Sequence, residues 1–231
     1  MNNKKIINLV FGLIILGLVG FGAYYFWPKG QVEPTELPLE SYFEFRVLNE
    51  ELVQWEIDKF KTSFEEAKAV LMINDDDMSA WLKLAQAKKN VGDYRGAELA
   101  WLKVNEIRPK NSPSFISLYD MYTNFTKEYD KALPMYQKAI ENTLGEEKNI
   151  EVYRDLYNFY TYQLQDGEKA KQTLFDAAKD NPKSSLPWVL LGRYYEERAF
   201  YRDALSAYEK ALELDPQNPG IKQAITDLEN R

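Results

Sequence analysis

Apolar residues recur at three- and four-residue steps along most of the chain, in blocks separated by short polar breaks. From Glu40 to Ile73 the apolar positions are Phe43, Val47, Leu48, Leu52, Trp55, Ile57, Phe60, Phe64, Ala67, Val70 and Leu71. No Gly or Pro interrupts them, so a helical region of one or two helices is predicted there. Four further blocks follow. The first holds Trp81, Leu84, Ala85, Ala97, Trp101 and Val104, and the second Phe115, Leu118, Tyr119, Tyr122, Ala132, Tyr136 and Ala139. The third holds Tyr153, Leu156, Tyr157, Tyr160, Ala170, Leu174 and Ala177, and the fourth Trp188, Leu191, Gly192, Tyr195, Ala204, Tyr208 and Ala211. A last stripe, Ile221, Ala224, Ile225 and Leu228, lies opposite Lys222, Gln223, Asp227, Glu229 and Asn230. The pattern is that of an all-α protein ending in a helix with one polar face.

One stretch is apolar without being periodic. Ile6 to Trp27 carries no charge, and its 22 residues would span roughly 33 Å as a helix, enough for a ~30 Å hydrocarbon core. It closes on Tyr24, Tyr25, Phe26 and Trp27, which suit a membrane interface, and Pro28 stops the helix. A cleaved signal peptide would have a shorter apolar core and a small-x-small cleavage site. Length and aromatic belt therefore favour an uncleaved anchor in the lipid bilayer. Lys4 and Lys5 precede the span and Lys29 alone follows closely, beside Glu33, Glu36 and Glu40. By the positive-inside rule the N-terminus is cytoplasmic and the bulk of the chain extracytoplasmic. Gly30, Pro34 and Pro38 make the next segment an extended spacer that reaches up to ~35 Å.

The four blocks share one spacing. Trp81, Phe115, Tyr153 and Trp188 open them at intervals of 34, 38 and 35, and Ala97, Ala132, Ala170 and Ala204 recur at 35, 38 and 34. The fourth block reads W-x2-L-G-x2-Y-x8-A-x3-Y-x2-A-x4-P from Trp188 to Pro216. This closely resembles the tetratricopeptide repeat, a helix-turn-helix unit of 34 residues, and the resemblance covers about Met78 to Pro216. It implies an α-solenoid in which each Ala sits where two helices cross and each aromatic fills the gap to the next unit. Lys88 stands where an aromatic is usual. Tyr119 and Tyr157 stand where a small residue is usual, which predicts a wider crossing in the middle units. One extra residue sits in the turn of the second unit, and Gly145 to Lys148 lengthens the connection to the third. The division is then 1–5 basic N-terminus, 6–27 transmembrane helix, 28–39 linker and 40–77 helical region ending in a half-repeat. Units at 78–111, 112–147, 148–184 and 185–218 follow, with a capping helix at 219–231.

The resemblance also implies a binding surface. In this family the first helix of each unit lines a concave groove. The lining would be Leu82, Lys83, Gln86, Lys89 and Asn90, then Ile116, Ser117, Asp120 and Thr123. The third unit would add Arg154, Asp155, Asn158, Thr161 and Tyr162, and the fourth Val189, Leu190, Arg193, Glu196 and Glu197. Some relatives clamp a chaperone's C-terminal carboxylate with a basic and Asn set spread over adjacent units. Arg154 and Asn158 have part of that spacing, but Leu190 replaces the Asn of the following unit. An extended peptide or a partner helix fits the groove better.

Composition narrows the chemistry. There is no Cys and no His, which removes thiol nucleophiles, disulfides, thiolate zinc sites and the commonest general base and metal ligand. From Pro28 onward 27 basic residues face 36 acidic ones, a net charge of -9 that argues against nucleic acid and against anionic lipid. Asp75-Asp76-Asp77 lacks the Gly and Glu of a calcium loop, having Ala80 and Gln86 instead, and reads as a helix N-terminus. Most of the eight tyrosines from Tyr119 to Tyr162 fall on packing positions. Asn124-Phe125-Thr126 is a glycosylation sequon of the kind short motifs produce by chance. No cofactor is called for and no convergent catalytic set is visible, so the expectation is a non-enzymatic scaffold for a protein or peptide partner. It would assist envelope assembly or secretion at a bacterial cytoplasmic membrane. A cytosol-facing targeting receptor and a permanent subunit of a membrane complex are the alternatives.

Overall fold

A computed structural model describes residues 38–143 and 149–230. The chain divides after Thr35, and the described residues belong to the unit from Glu36 onward. The apolar segment 6–27, most of the spacer after it, and the connection through Gly145 to Lys148 lie outside the described residues. Among those described, no helix is long and apolar enough to cross a membrane.

Ten α-helices follow one another with no strand among the described residues. They are α1 (Gln54–Leu71), α2 (Met78–Asn90), α3 (Tyr94–Ile107), α4 (Pro113–Asp120), α5 (Tyr129–Glu141), α6 (Ile150–Asn158), α7 (Gly167–Asp180), α8 (Leu186–Glu196), α9 (Tyr201–Leu214) and α10 (Pro219–Glu229). Five residues of π-helix extend α4 (Met121–Phe125) and α6 (Phe159–Gln163). Their starts are chemically specified. Asp77, Asp93, Asn149, Asp166 and Asn218 each accept a backbone N–H of the first turn, satisfying donors that have no partner inside the helix. The third acid of the Asp75–Asp77 run is thus a cap, and its Oδ1 takes the Ala80 N–H at 2.8 Å. Pro113, Pro187 and Pro219 stand in first turns, where a missing N–H costs nothing.

Packing is between neighbours in the chain, as a solenoid requires. Trp81, Trp101, Phe64 and Leu84 are fully buried at the start, Leu118, Tyr122 and Phe159 in the middle, and Leu191, Tyr208 and Ile221 toward the end. Ala97, Ala132, Ala170 and Ala204 are all closed to solvent at the helix crossings. Ile221 and Leu228 of α10 cover the last unit.

The region 40–77 departs from its expected form. Of the one or two helices expected, one forms, and the helical region is shorter than its apolar spacing suggests: Leu39–Tyr42 is a 3-10 turn and residues 43–53 are an extended strap. The strap's polar groups have better partners than its own carbonyls. The N–H groups of Leu48 and Asn49 both donate to Val91 O, at 2.8 and 2.9 Å, and Glu44 O accepts from Lys88 Nζ at 2.6 Å. Tyr42 packs edge-on against Trp81 at 4.9 Å and Phe45 against Phe64 at 5.2 Å.

Candidate partner-binding groove

The first helices α2, α4, α6 and α8 must turn back at the same place in each unit for their faces to line up. A left-handed residue does this: Gly92, Lys127, Gln165 and Ala199 have φ of 82°, 59°, 52° and 59°. Each is followed by the residue at the N-terminal boundary of the second helix, whose side chain caps it in the case of Asp93 and Asp166, and each lies five residues before that helix's buried Ala. Upstream the units differ. Trp81 to Gly92 and Trp188 to Ala199 are 11 residues, whereas Phe115 to Lys127 and Tyr153 to Gln165 are 12. The π-turns take up the extra residue: Thr126 N donates to Met121 O at 3.0 Å and Leu164 N to Phe159 O at 3.1 Å, each five back. The third unit carries this insertion as well as the second.

The middle units differ as well at the position after the recurring Leu, where Tyr119 and Tyr157 stand in place of a small residue. In unit four Gly192 lies under the Tyr208 ring so closely that a Cβ would come within 2.6 Å of it. In unit two the corresponding Tyr119 stacks on Tyr136 instead, with centroids 4.0 Å apart. Its hydroxyl, displaced toward the next first helix, donates to Asp155 Oδ2 at 2.9 Å.

The result is a cleft of about 390 Å³ between α4 and α6, lined by Ile116, Tyr119, Asp120, Thr123, Asn124, Tyr136, Asp155, Asn158, Phe159 and Gln163. Five of these, Ile116, Asp120, Thr123, Asp155 and Asn158, belong to the lining expected from sequence. Asp120 accepts from Lys89 of α2 at 2.5 Å and from Asn124 Nδ2 at 2.8 Å, so the cleft is tied to the preceding unit. Lys89 also lies 4.3 Å above the Phe125 ring. Burial pushes the Tyr136 hydroxyl up to about 12, and burial together with the Asp155 carboxylate pushes that of Tyr119 higher still. Both are fixed proton donors at physiological pH. The cleft offers hydroxyl, amide and carboxylate groups over an aromatic floor.

The other expected lining residues are spread along the stack. Lys83 and Gln86 are exposed on α2, Lys83 paired with Glu66 and Gln86 bonded to Asn90 at 2.8 Å. Leu82 and Ser117 are half-buried, Leu82 against the core. Arg154 is exposed and paired with Glu151. Thr161 is half-buried, and Tyr162, 66% exposed, stands outside the cleft on the π-turn. Val189 and Leu190 pack against the core of the last unit and its neighbour, while Arg193 and Glu197 are exposed and Glu196 accepts from Tyr208 OH at 3.2 Å. Sequence reasoning missed Tyr119, Asn124, Tyr136, Phe159 and Gln163 as lining. The one signal was the bulky residue at 119, which displaces its own hydroxyl into the groove.

Comparison with known proteins settles the type of the last unit. Residues 185–218 match the profile of the tetratricopeptide repeat family over the unit's full length. This unit is a tetratricopeptide repeat. The fold resembles that in a crystal structure of MamA, with a TM-score of 0.53 at 19% identity over 68% of this chain and 90% of that one. A stretch of 102 residues is 33% identical to heat shock protein STI1 of Saccharomyces cerevisiae, covering 44% of this chain and 17% of that protein. Another of 64 residues is 38% identical to the formate-dependent nitrite reductase complex subunit NrfG of Escherichia coli O157:H7, covering 28% and 32%. The match thus spans less than a third of the length of either curated relative. An opening aromatic and a buried Ala recur in all four units of the present chain.

Proposed function

We propose that the chain is a membrane-anchored scaffold that holds a peptide or a partner helix in the concave tetratricopeptide groove, on the outer side of a bacterial cytoplasmic membrane. The cleft between α4 and α6 carries this reading, because polar side chains from successive first helices converge there over an aromatic floor. Side-chain groups at that spacing can meet the backbone and side chains of an extended segment or of one helix face. That NrfG is named as a complex subunit fits a role in assembly. The apolar segment 6–27 would keep the groove near its partner in two dimensions and so raise the effective concentration. Lys4 and Lys5 before that segment favour the outward orientation.

The test is capture from intact, anchored protein by proximity labelling, followed by comparison of the wild type with the double variant Arg154→Glu, Arg193→Glu. Both side chains are exposed, so the melting temperature should hold while capture falls. Equal capture by both proteins would refute the lining at these two positions, and unchanged capture by Asn158→Lys, at a position that lines the cleft, would refute the cleft. A reporter fused after Arg231 that is active only in the cytoplasm would refute the orientation.

A further inference from the structure

Most hydrogen-bond donors in the cleft between α4 and α6 are already engaged within the protein. The Tyr119 hydroxyl donates to Asp155 Oδ2 at 2.9 Å, and the hydroxyls of Thr123 and Tyr136, 3.3 Å apart, bond to each other. Asn124 Nδ2 donates to Asp120 Oδ1 at 2.8 Å. The Gln163 amide is satisfied with its nitrogen toward the Asn158 and Phe159 carbonyl oxygens, at 3.1 and 3.3 Å. What is left to face a ligand is mostly oxygen. Asp155 Oδ1 accepts no hydrogen bond among the described residues, and the Asn158 side-chain amide has no partner there either. Asp155 and Asn158 stand at i and i+3 on α6, so they share one face of the helix.

The charge in the cleft has one sign. Of its ten lining residues two are acids and none is a base. Three bases stand close by, and each is engaged. Lys89 pairs with Asp120, Lys127 donates to Thr123 O at 3.2 Å, and Arg154 pairs with Glu151. Arg154 Nε comes only to 3.9 Å from Asp155 Oδ1, beyond hydrogen-bond length. Asp155 therefore holds a hydroxyl but no hydrogen-bonded cation. Besides burial, the Asp155 and Asp120 carboxylates push up the hydroxyls of both Tyr119 and Tyr136, so their negative field reaches the floor. That floor is Tyr119 stacked on Tyr136, with Phe159 5.4 Å from the Tyr136 ring. All three are nearly closed to water, and a carboxylate screened by water on fewer sides attracts a cation more strongly.

A cation rich in N–H donors answers this set. The guanidinium of arginine is planar and weakly hydrated, and its forked donors can meet Asp155 Oδ1 and Asn158 Oδ1 together. A lysine ammonium is a strongly hydrated point charge and loses more on leaving water. A volume of about 390 Å³ has room for one long side chain of a bound segment. Resting on the groove reading above, we infer that the cleft seats an arginine side chain of the bound peptide, with its guanidinium on Asp155 and Asn158. Arg154 and Arg193 do not line the cleft and are left to meet the flanks of the same segment.

The test uses the full chain, immobilised in mild detergent, and a degenerate nonapeptide library acetylated and amidated so that no terminus carries charge. Retained peptides are sequenced. Arginine should be enriched about tenfold over the input, and lysine much less. Asp155→Asn keeps an acceptor for the Tyr119 hydroxyl and should return arginine close to its input level. Asn158→Lys, which puts a cation at the cleft, should do the same, and melting temperatures show that both variants are folded. Peptides retained with no preference for arginine, or with lysine equal to it, would overturn the inference and leave the groove reading standing. An arginine preference undiminished in both variants would overturn it too, by placing the arginine elsewhere. No peptide retained at all would overturn the groove reading and this inference with it.

Discussion

Lys88 Nζ donates to Asp93 Oδ2 at 3.0 Å, and the side chains are 2% and 1% exposed. Asp93 also caps α3 through Gly96 N at 3.0 Å and pairs with Arg46 of the strap at 3.0 Å. Lys88 donates to Glu44 O and lies over the Phe64 ring. The pair therefore joins the strap to the first turn. Removing Lys88 leaves the buried Asp93 with Arg46 as its one counter-charge, a loss of up to about 3–5 kcal/mol. Lys88→Met should lower stability by that amount in urea denaturation, and the Leu48 and Asn49 amides should lose protection from hydrogen exchange.

Left-handed backbone costs an L-residue about 1–2 kcal/mol, and glycine's extra freedom in the unfolded chain returns part of that. Only the first of the four turns has Gly at the left-handed position. Ala199→Gly and Gln165→Gly should each raise stability by about 0.5–1 kcal/mol. Gly92→Ala should do the reverse, because its Cβ would meet Asn49 N at 2.9 Å as well. Thermal unfolding of the three variants checks both signs.

Gly192→Ala should destabilise by about 1–3 kcal/mol, since the added methyl has to displace the buried Tyr208 ring. Gly220→Ala is its control. There the nearest atom to a new Cβ is 3.4 Å away, and helix propensity favours Ala by up to about 1 kcal/mol. Opposite shifts in melting temperature are expected.

Glu98 is buried on α3 and joins the first two units, accepting from Tyr122 OH at 2.6 Å, Lys131 Nζ at 3.1 Å and Arg95 at 2.6 Å. Burial alone would raise its pKa, but these donors more than offset it and hold the carboxyl below its ordinary 4.5. A lowered carboxyl pKa contributes stability that is complete above the unfolded value and is lost as pH falls through the folded one. Denaturation midpoints at pH 7 and roughly pH 3 should differ less in Glu98→Gln than in the wild type. An unchanged difference would show that Glu98 is not the linked group.

The repeats were readable from sequence because their code is packing. A buried Ala at each crossing and an aromatic at each opening are required by geometry that recurs every unit. The strap was not readable in that way. Phe43, Val47 and Leu48 have helical spacing, and their partners, Val91 and Lys88, are distant in sequence. Lys88 was visible as an exception, but nothing nearby indicated that Asp93 and a strap carbonyl would satisfy it. The cleft was half readable: the helix face was right, while Tyr136 comes from a second helix and enters only because Tyr119 holds it off. For Gly192 the close approach that the sequence suggested is present.

A one-residue insertion in most helices rotates everything downstream by about 100°. Here two of four units carry such an insertion and emerge in phase, because the wide turn closes before the left-handed residue and the five-residue step to the buried Ala is untouched. Errors of length are thus healed within the unit where they arise and do not accumulate along the stack. A single codon gained or lost just before that residue is a change this architecture can inherit, which lets the groove wall be resized one unit at a time.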